Sequence, residues 1–87
     1  MKILLSSAAN RPRITELRPE YDSRASFYGK ARVIDYGDGV YELQSYDTIV
    51  ARVENGKVTQ NDIGKYSVTT NRHIREFLKQ YADDYNG

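Results

Sequence analysis

Apolar and polar positions alternate most strictly in the middle of the chain. From Thr48 to Glu54, Ile49, Ala51 and Val53 fall on one side, with Thr48, Val50, Arg52 and Glu54 on the other. That period of two predicts an extended strand. Asn55-Gly56 follows, and both positions tolerate positive φ, so the chain is predicted to reverse there and return over Lys57–Gln60. Upstream, Lys30–Tyr36 is rich in strand formers, Gly37-Asp38-Gly39 is a turn signal, and Val40–Tyr46 sets Tyr41, Leu43 and Ser45 on one face. Asp47 allows a tight turn before Thr48. Asn61-Asp62 predicts a further turn, and Ile63–Val68 a last short strand. Nearer the start, Arg13–Arg18 alternates between Pro12 and Pro19, which confine it to a sheet edge. Residues 1–10 read as a short apolar strand or arm, and residues 20–29 as a loop or irregular edge.

The period then changes. Ile74, Phe77, Leu78 and Tyr81 recur at i, i+3, i+4 and i+7, one face of a helix expected from about Asn71 to Ala82. Thr69 and Thr70 are the expected N-caps, because a hydroxyl accepts from the exposed first-turn amides. Residues 83–87 are expected to fray. A meander of short strands needs cover on one face, and this helix supplies it. The predicted fold is α+β: an antiparallel β-meander of four or five strands packed against one C-terminal amphipathic helix. It forms one domain over 1–87, with 1–27 a variable N-terminal extension or edge strand, 28–68 the meander and 70–82 the helix.

Length and composition fit that picture. The chain has 87 residues, and a domain of this size buries roughly 60–65% of its unfolded surface. It has no Cys, so neither a disulfide nor a thiolate metal site supports it. Met1-Lys-Ile-Leu-Leu is too short an apolar run for a signal peptide, and no stretch reaches the roughly 20 apolar residues that span a bilayer. A cytoplasmic protein, without a membrane partner, is expected. Net charge is +1, but residues 1–34 hold seven Lys/Arg against three acids, while residues 35–64 hold two against six. Tyr occurs eight times and Trp not at all, which suits strands and contact surfaces alike.

Two segments carry a resemblance. Ser45-Tyr46-Asp47-Thr48-Ile49-Val50-Ala51, and Tyr66-Ser67-Val68-Thr69-Thr70 running into Arg72-His73-Ile74-Arg75-Glu76-Phe77-Leu78-Lys79-Gln80, are similar to a family of small uncharacterised proteins of bacteriophages and Firmicute genomes. The resemblance covers about residues 28–80 and leaves 1–27 aside as an individual extension. It implies a phage or mobile-element setting in a bacterial host cell, and no assigned activity. Small phage proteins of this kind often bind a host protein or a nucleic acid, anti-CRISPR proteins being one such class.

No set of nucleophile, base and orienting group stands out, so the chain is not read as an enzyme, and no cofactor or metal is expected. His73 is the single imidazole. Its plainest role is a hydrogen bond to the sheet or the preceding turn. Gly37-x-Gly39 is too short for a phosphate loop. Three acids of the middle segment fall at turns, where Asp serves the backbone. Basic and aromatic residues interleave in Arg11, Arg13, Arg18, Tyr21, Arg24, Phe27, Tyr28, Lys30 and Arg32, and Arg72, Arg75 and Lys79 form a helix stripe beside Glu76, which is placed to pair with Arg72 at i, i+4. Arg with Tyr suits a protein interface, and cations that track phosphates between rings that stack bases suit single-stranded nucleic acid. Phe27 and Tyr28 are the aromatics expected to turn inward. A host or phage protein is the first partner expected, nucleic acid the alternative, and the meander's edges offer a route to a homodimer.

Overall fold

Turn chemistry fixes how the middle of the chain folds back on itself. In the computed structural model, which describes residues 11–85, Asp38-Gly39 and Asn55-Gly56 carry positive φ at both positions (54° and 80°, 52° and 82°). This is the requirement of the tight hairpin turn whose twist matches the strands it joins. The resulting strands are β1 (Arg13–Glu16), β2 (Ala31–Gly37), β3 (Val40–Ser45), β4 (Thr48–Glu54) and β5 (Lys57–Asn61). They form one five-stranded antiparallel sheet in the order β1-β2-β3-β4-β5. One helix, α1 (Val68–Tyr81), crosses one face over β3 and β4. The expected arm at residues 1–10 lies outside the described residues.

The predicted alternation of β4 needs a correction. Leu43 pairs with Ala51, but Gln44 pairs with Ile49, so Val50 is an extra residue opposite no partner. That bulge turns Val50 inward beside Ala51 and Val53, and all three are buried. The next strand pairs shift register too, at Asp35/Gly37 and at Arg52/Val53. Repeated bulges add twist, which lets a narrow sheet curl around a single helix.

Two further expectations change. Ile63–Val68 is not a strand. Asn61 Oδ1 accepts from Ile63 N (3.1 Å), Asn71 Oδ1 accepts from Gly64 N (2.9 Å), and Gly64 sits at φ 92°. Local amide side chains thus satisfy the backbone that a ladder would have used. The helix cap is Ser67 rather than Thr69 or Thr70, its hydroxyl accepting from Thr70 N at 3.1 Å. The helix accordingly starts three residues earlier than about Asn71. Nor does its end fray at once. Asp83 N donates to Gly56 O (2.7 Å), Asp84 accepts from Val58 N (3.1 Å), and Tyr85 packs on the core.

Ile74, Phe77 and Leu78 are fully buried against Leu43, Val50, Ala51 and Val53. Removing three such side chains from water contributes about 5–9 kcal/mol before entropy is charged. Tyr81 is half-buried, its ring 4.6 Å from Tyr41 and 5.2 Å from Phe77. Leu17 and Phe27 complete the core from the N-terminal side. The segment between them is therefore part of the packed body of the protein.

Candidate functional site

The segment that follows β1 runs along the helix and is held by one carboxylate. Glu76, almost fully buried, accepts from the backbone N–H of Glu20 (2.8 Å), Tyr21 (3.0 and 3.1 Å) and Asp22 (2.8 Å), and from Gln80 Nε2 (2.6 Å). Successive N–H groups converging on one anion form a backbone nest. Glu76 is thus engaged with the loop and does not pair with Arg72. Arg72 instead reaches Asp22 at 2.9 Å. Asp22 Oδ1 also accepts from Arg24 N (2.9 Å), which turns the chain outward again.

Beneath this loop His73 is 1% exposed. Its Nδ1 lies 2.8 Å from Ser45 Oγ, as the plain role predicts, and Ser45 Oγ lies 2.9 Å from Thr70 Oγ1. Ser67 Oγ donates to Thr70 Oγ1 (3.3 Å) while accepting from Thr70 N. Thr70 accepts from Ser67, and when Thr70 in turn donates to Ser45 and Ser45 to Nδ1, every hydroxyl hydrogen has an acceptor. The chain Ser67 to Thr70 to Ser45 to His73 satisfies each hydroxyl in one direction and leaves the ring proton on Nε2. Burial holds the His73 pKa below its ordinary value, and Lys30 pushes it the same way, against the opposing pull of Asp22. The neutral ring is therefore the favoured form. Phe27 meets it edge-on at 4.7 Å. Ser45 is buried, so its hydroxyl serves the relay and is out of reach of a substrate.

Above His73 opens a cleft of about 170 Å3. Phe27 and His73 form its floor, Thr69 and Arg72 its helix side, and Arg24, Ser26 and Lys30 its loop side. Tyr28 and Tyr46 stand at the mouth, 76% and 47% exposed. Both hold φ in the left-handed region, 56° and 57°, an outlier for a bulky side chain. Tyr28-Gly29 is a tight turn closed by Lys30 N to Phe27 O at 3.1 Å, and Tyr46 is the first residue of the β3–β4 hairpin loop. Lys30 Nζ sits 5.9 Å from the centre of the Tyr46 ring. Among the described residues, no acidic side chain lines the cleft.

Comparison with family models gives one match, a family of unknown function, DUF8033, over residues 15–86. The chain belongs to the DUF8033 family. No curated protein and no solved structure matches it. The family match begins at residue 15, so the loop that carries the Glu76 nest and the cleft wall lies inside the DUF8033 domain. No helix among the described residues is long and apolar enough to cross a membrane.

The residues singled out in the sequence disperse over this DUF8033 domain. Arg24, Tyr28 and Arg72 come together at the cleft. Arg18 lines a second depression of about 330 Å3 with Glu16, Pro19, Ala25 and Ser26, the last shared with the cleft. Arg13 and Arg32 stand on β1 and β2, opposite Asp35 and Glu16 respectively. Arg11 and Tyr21 are exposed on the surface, as are Arg75 and Lys79 on the helix. Of the two aromatics expected to turn inward, Phe27 is buried and Tyr28 is not. Its place before Gly29 in a tight turn forces its ring outward, and Tyr-Gly is a weaker turn signal than Asn-Gly. Lys30 of the basic and aromatic segment joins Arg24, Tyr28 and Arg72 at the cleft, and Tyr46, Thr69 and His73, which the sequence did not mark as contact residues, complete it. The pairing of Ser45 with His73 depends on strand register and has no sequence spacing to reveal it.

Proposed function

We propose that this chain is a non-enzymatic binding module that docks on a host or phage protein and modulates it, with the Tyr28–Tyr46 cleft at the centre of its contact surface. Tyr28 and Tyr46 carry the proposal. Strained backbone persists where the surrounding structure enforces it, and such strain clusters at contact and active sites. Here it displays two tyrosine rings beside Arg24, the residue types that dominate binding hot spots, with Lys30 next to them. In a phage or mobile-element setting the target is a protein of the bacterial cytoplasm, and inhibition of a defence nuclease, as by an anti-CRISPR protein, is the sharpest form of the proposal.

The test is affinity capture from host lysate with wild-type protein, Tyr28→Ser, Arg24→Glu and, on the helix stripe, Arg75→Glu. A partner retained by wild type and lost with Tyr28→Ser and Arg24→Glu is expected. If every captured protein survives those two substitutions, the cleft is not the contact surface. The same cations and rings favour a second function, binding of single-stranded nucleic acid. Its affinity must then fall by about 0.7 log units per neutralised phosphate per tenfold rise in salt. No retardation of oligonucleotides at low salt in a mobility-shift assay excludes it.

A further inference from the structure

We propose that the cleft is a subsite for a phosphomonoester carried on a planar ring, its phosphoryl oxygens held by Arg24, Lys30 and His73 Nε2–H and its ring set against Tyr28 and Tyr46. This rests on the cleft being the contact surface and names the chemistry it selects.

Three independent observations converge on an anion. The first is charge. Arg24 and Lys30 make no salt bridge among the described residues, and Arg72, the third cation, is neutralised by Asp22. With no acid in the lining, the cleft keeps two uncompensated positive charges. The second is His73. The ring is almost completely buried, yet Nε2 has no hydrogen-bond partner among the described residues. No fully enclosed side-chain nitrogen or oxygen among the described residues lacks a partner, so Nε2 is not fully enclosed, and His73 lines the cleft. With the hydroxyls donating along the run from Ser67 through Thr70 and Ser45, the ring proton sits on Nε2, which is then a donor. An unpartnered donor on a residue that lines a positive cleft has an oxyanion as its natural complement. The third is the start of α1. Thr69 lines the cleft within the first helical turn, where the Val68 and Thr69 amides have no intrahelical acceptor.

The rest of the cleft decides what carries the anion. Tyr28 and Tyr46 stand on opposite loops, and Lys30 over the Tyr46 ring restrains one of them. Two rings at the mouth of a cleft of about 170 Å3 admit one flat group between them rather than a run of bases. A nucleoside monophosphate and a phosphotyrosine side chain both meet this description. Their shared chemistry, a phosphoryl dianion next to an aromatic ring, is what the cleft reads.

The full chain, 15N-labelled, is titrated in low-salt buffer at pH 7.5 with four probes: inorganic phosphate, a nucleoside monophosphate, phosphotyrosine, and tyrosine. The His73 ring signals and the Thr69 and Lys30 amides are followed by NMR. Saturable shifts are expected with the two aromatic phosphomonoesters, at least about tenfold tighter than with inorganic phosphate or tyrosine, since one charge-assisted contact set is worth that factor. Whichever phosphomonoester binds more tightly identifies the source. Arg24→Gln and Lys30→Gln, both at exposed positions, should each weaken binding about tenfold with unchanged circular dichroism. Absence of saturation by any probe, equal affinity for tyrosine, or affinity unchanged in both variants overturns the proposal. Partner capture that still depends on Tyr28, alongside silent phosphate probes, would leave the docking surface standing and remove only the anion subsite.

Discussion

Replacing Glu76 by Gln isolates what one buried carboxylate does for the loop that walls the cleft. The substitution is isosteric and keeps one acceptor oxygen, but it turns the other into an amide donor. In the folded protein the carboxylate serves three backbone N–H groups and Gln80 Nε2, all at 2.6–3.1 Å. The carboxamide satisfies at most part of these and directs N–H toward N–H, so two or more donors lose their acceptor. Each such loss costs about 1–3 kcal/mol when the group is fully buried. Glu20, Tyr21 and Asp22 are only partly shielded, so water recovers some of the loss and the sum is about 2–4 kcal/mol. A domain of this length has a total stability of about 4–13 kcal/mol, and each kcal/mol shifts its Tm by about 4–8 °C. A fall of at least about 8 °C in Tm by circular dichroism is therefore expected. Glu20→Gln removes the same charge from the same loop without touching the nest and should shift Tm by less than about 3 °C, as surface changes do. Amide exchange sharpens the test, because protection at Tyr21 and Asp22 should drop before protection in β3 and β4. A Glu76→Gln Tm within about 3 °C of wild type, or a fall that Glu20→Gln reproduces, would show that the carboxylate does not hold the loop.

Three other outcomes are expected. Gly56→Ala should cost about 1–3 kcal/mol in urea unfolding, because position 56 sits at φ 82° and an added Cβ collides with the Asp83 carboxylate. Tyr28→Asn should raise stability by about 0.5–1 kcal/mol, since Asn tolerates the left-handed conformation and the exposed ring gives up little packing, while weakening partner capture. A less stable variant would show that the ring is there for packing. The His73 pKa is depressed on folding, so below its ordinary value of 6.5 the unfolded chain takes the proton first. This contribution is complete above about pH 6.5 and is lost as pH falls toward the folded pKa. Wild-type Tm should therefore decline between pH 7 and 5 more steeply than that of His73→Gln, and parallel declines would assign the acid sensitivity elsewhere.

The meander and its helix are legible in the sequence because they rest on local rules. Asn55-Gly56 and Asp38-Gly39 specify turns through backbone sterics alone, and Ile74, Phe77 and Leu78 mark the buried helix face by spacing alone. What escapes is set by pairs distant along the chain. The bulge at Val50 is visible only once β3 and β4 are in register. Glu76 has the spacing of a surface partner for Arg72, yet three loop amides 54 to 56 residues away claim it. The cleft escapes for the same reason. Its cations and rings were conspicuous as a composition, but Arg24, Lys30 and Tyr46 meet only because Leu17 and Phe27 pin the loop to the core and His73 reaches across to Ser45.

In this sheet each strand lies beside its neighbour in the chain, and the three ladders from β2 to β5 each close over a short loop at small entropic cost, while β1 joins β2 through the longer segment 17–30. The closures that seat the helix are longer, spanning 28 residues from Ser45 to His73 and 56 from Glu20 to Glu76. The cleft depends on both. A molecule with its hairpins made but its helix undocked has no floor beneath Tyr28 and no donor at His73. Any ligand held there engages the completed fold alone, and mass action then makes it a thermal stabiliser whose effect grows with the logarithm of its concentration.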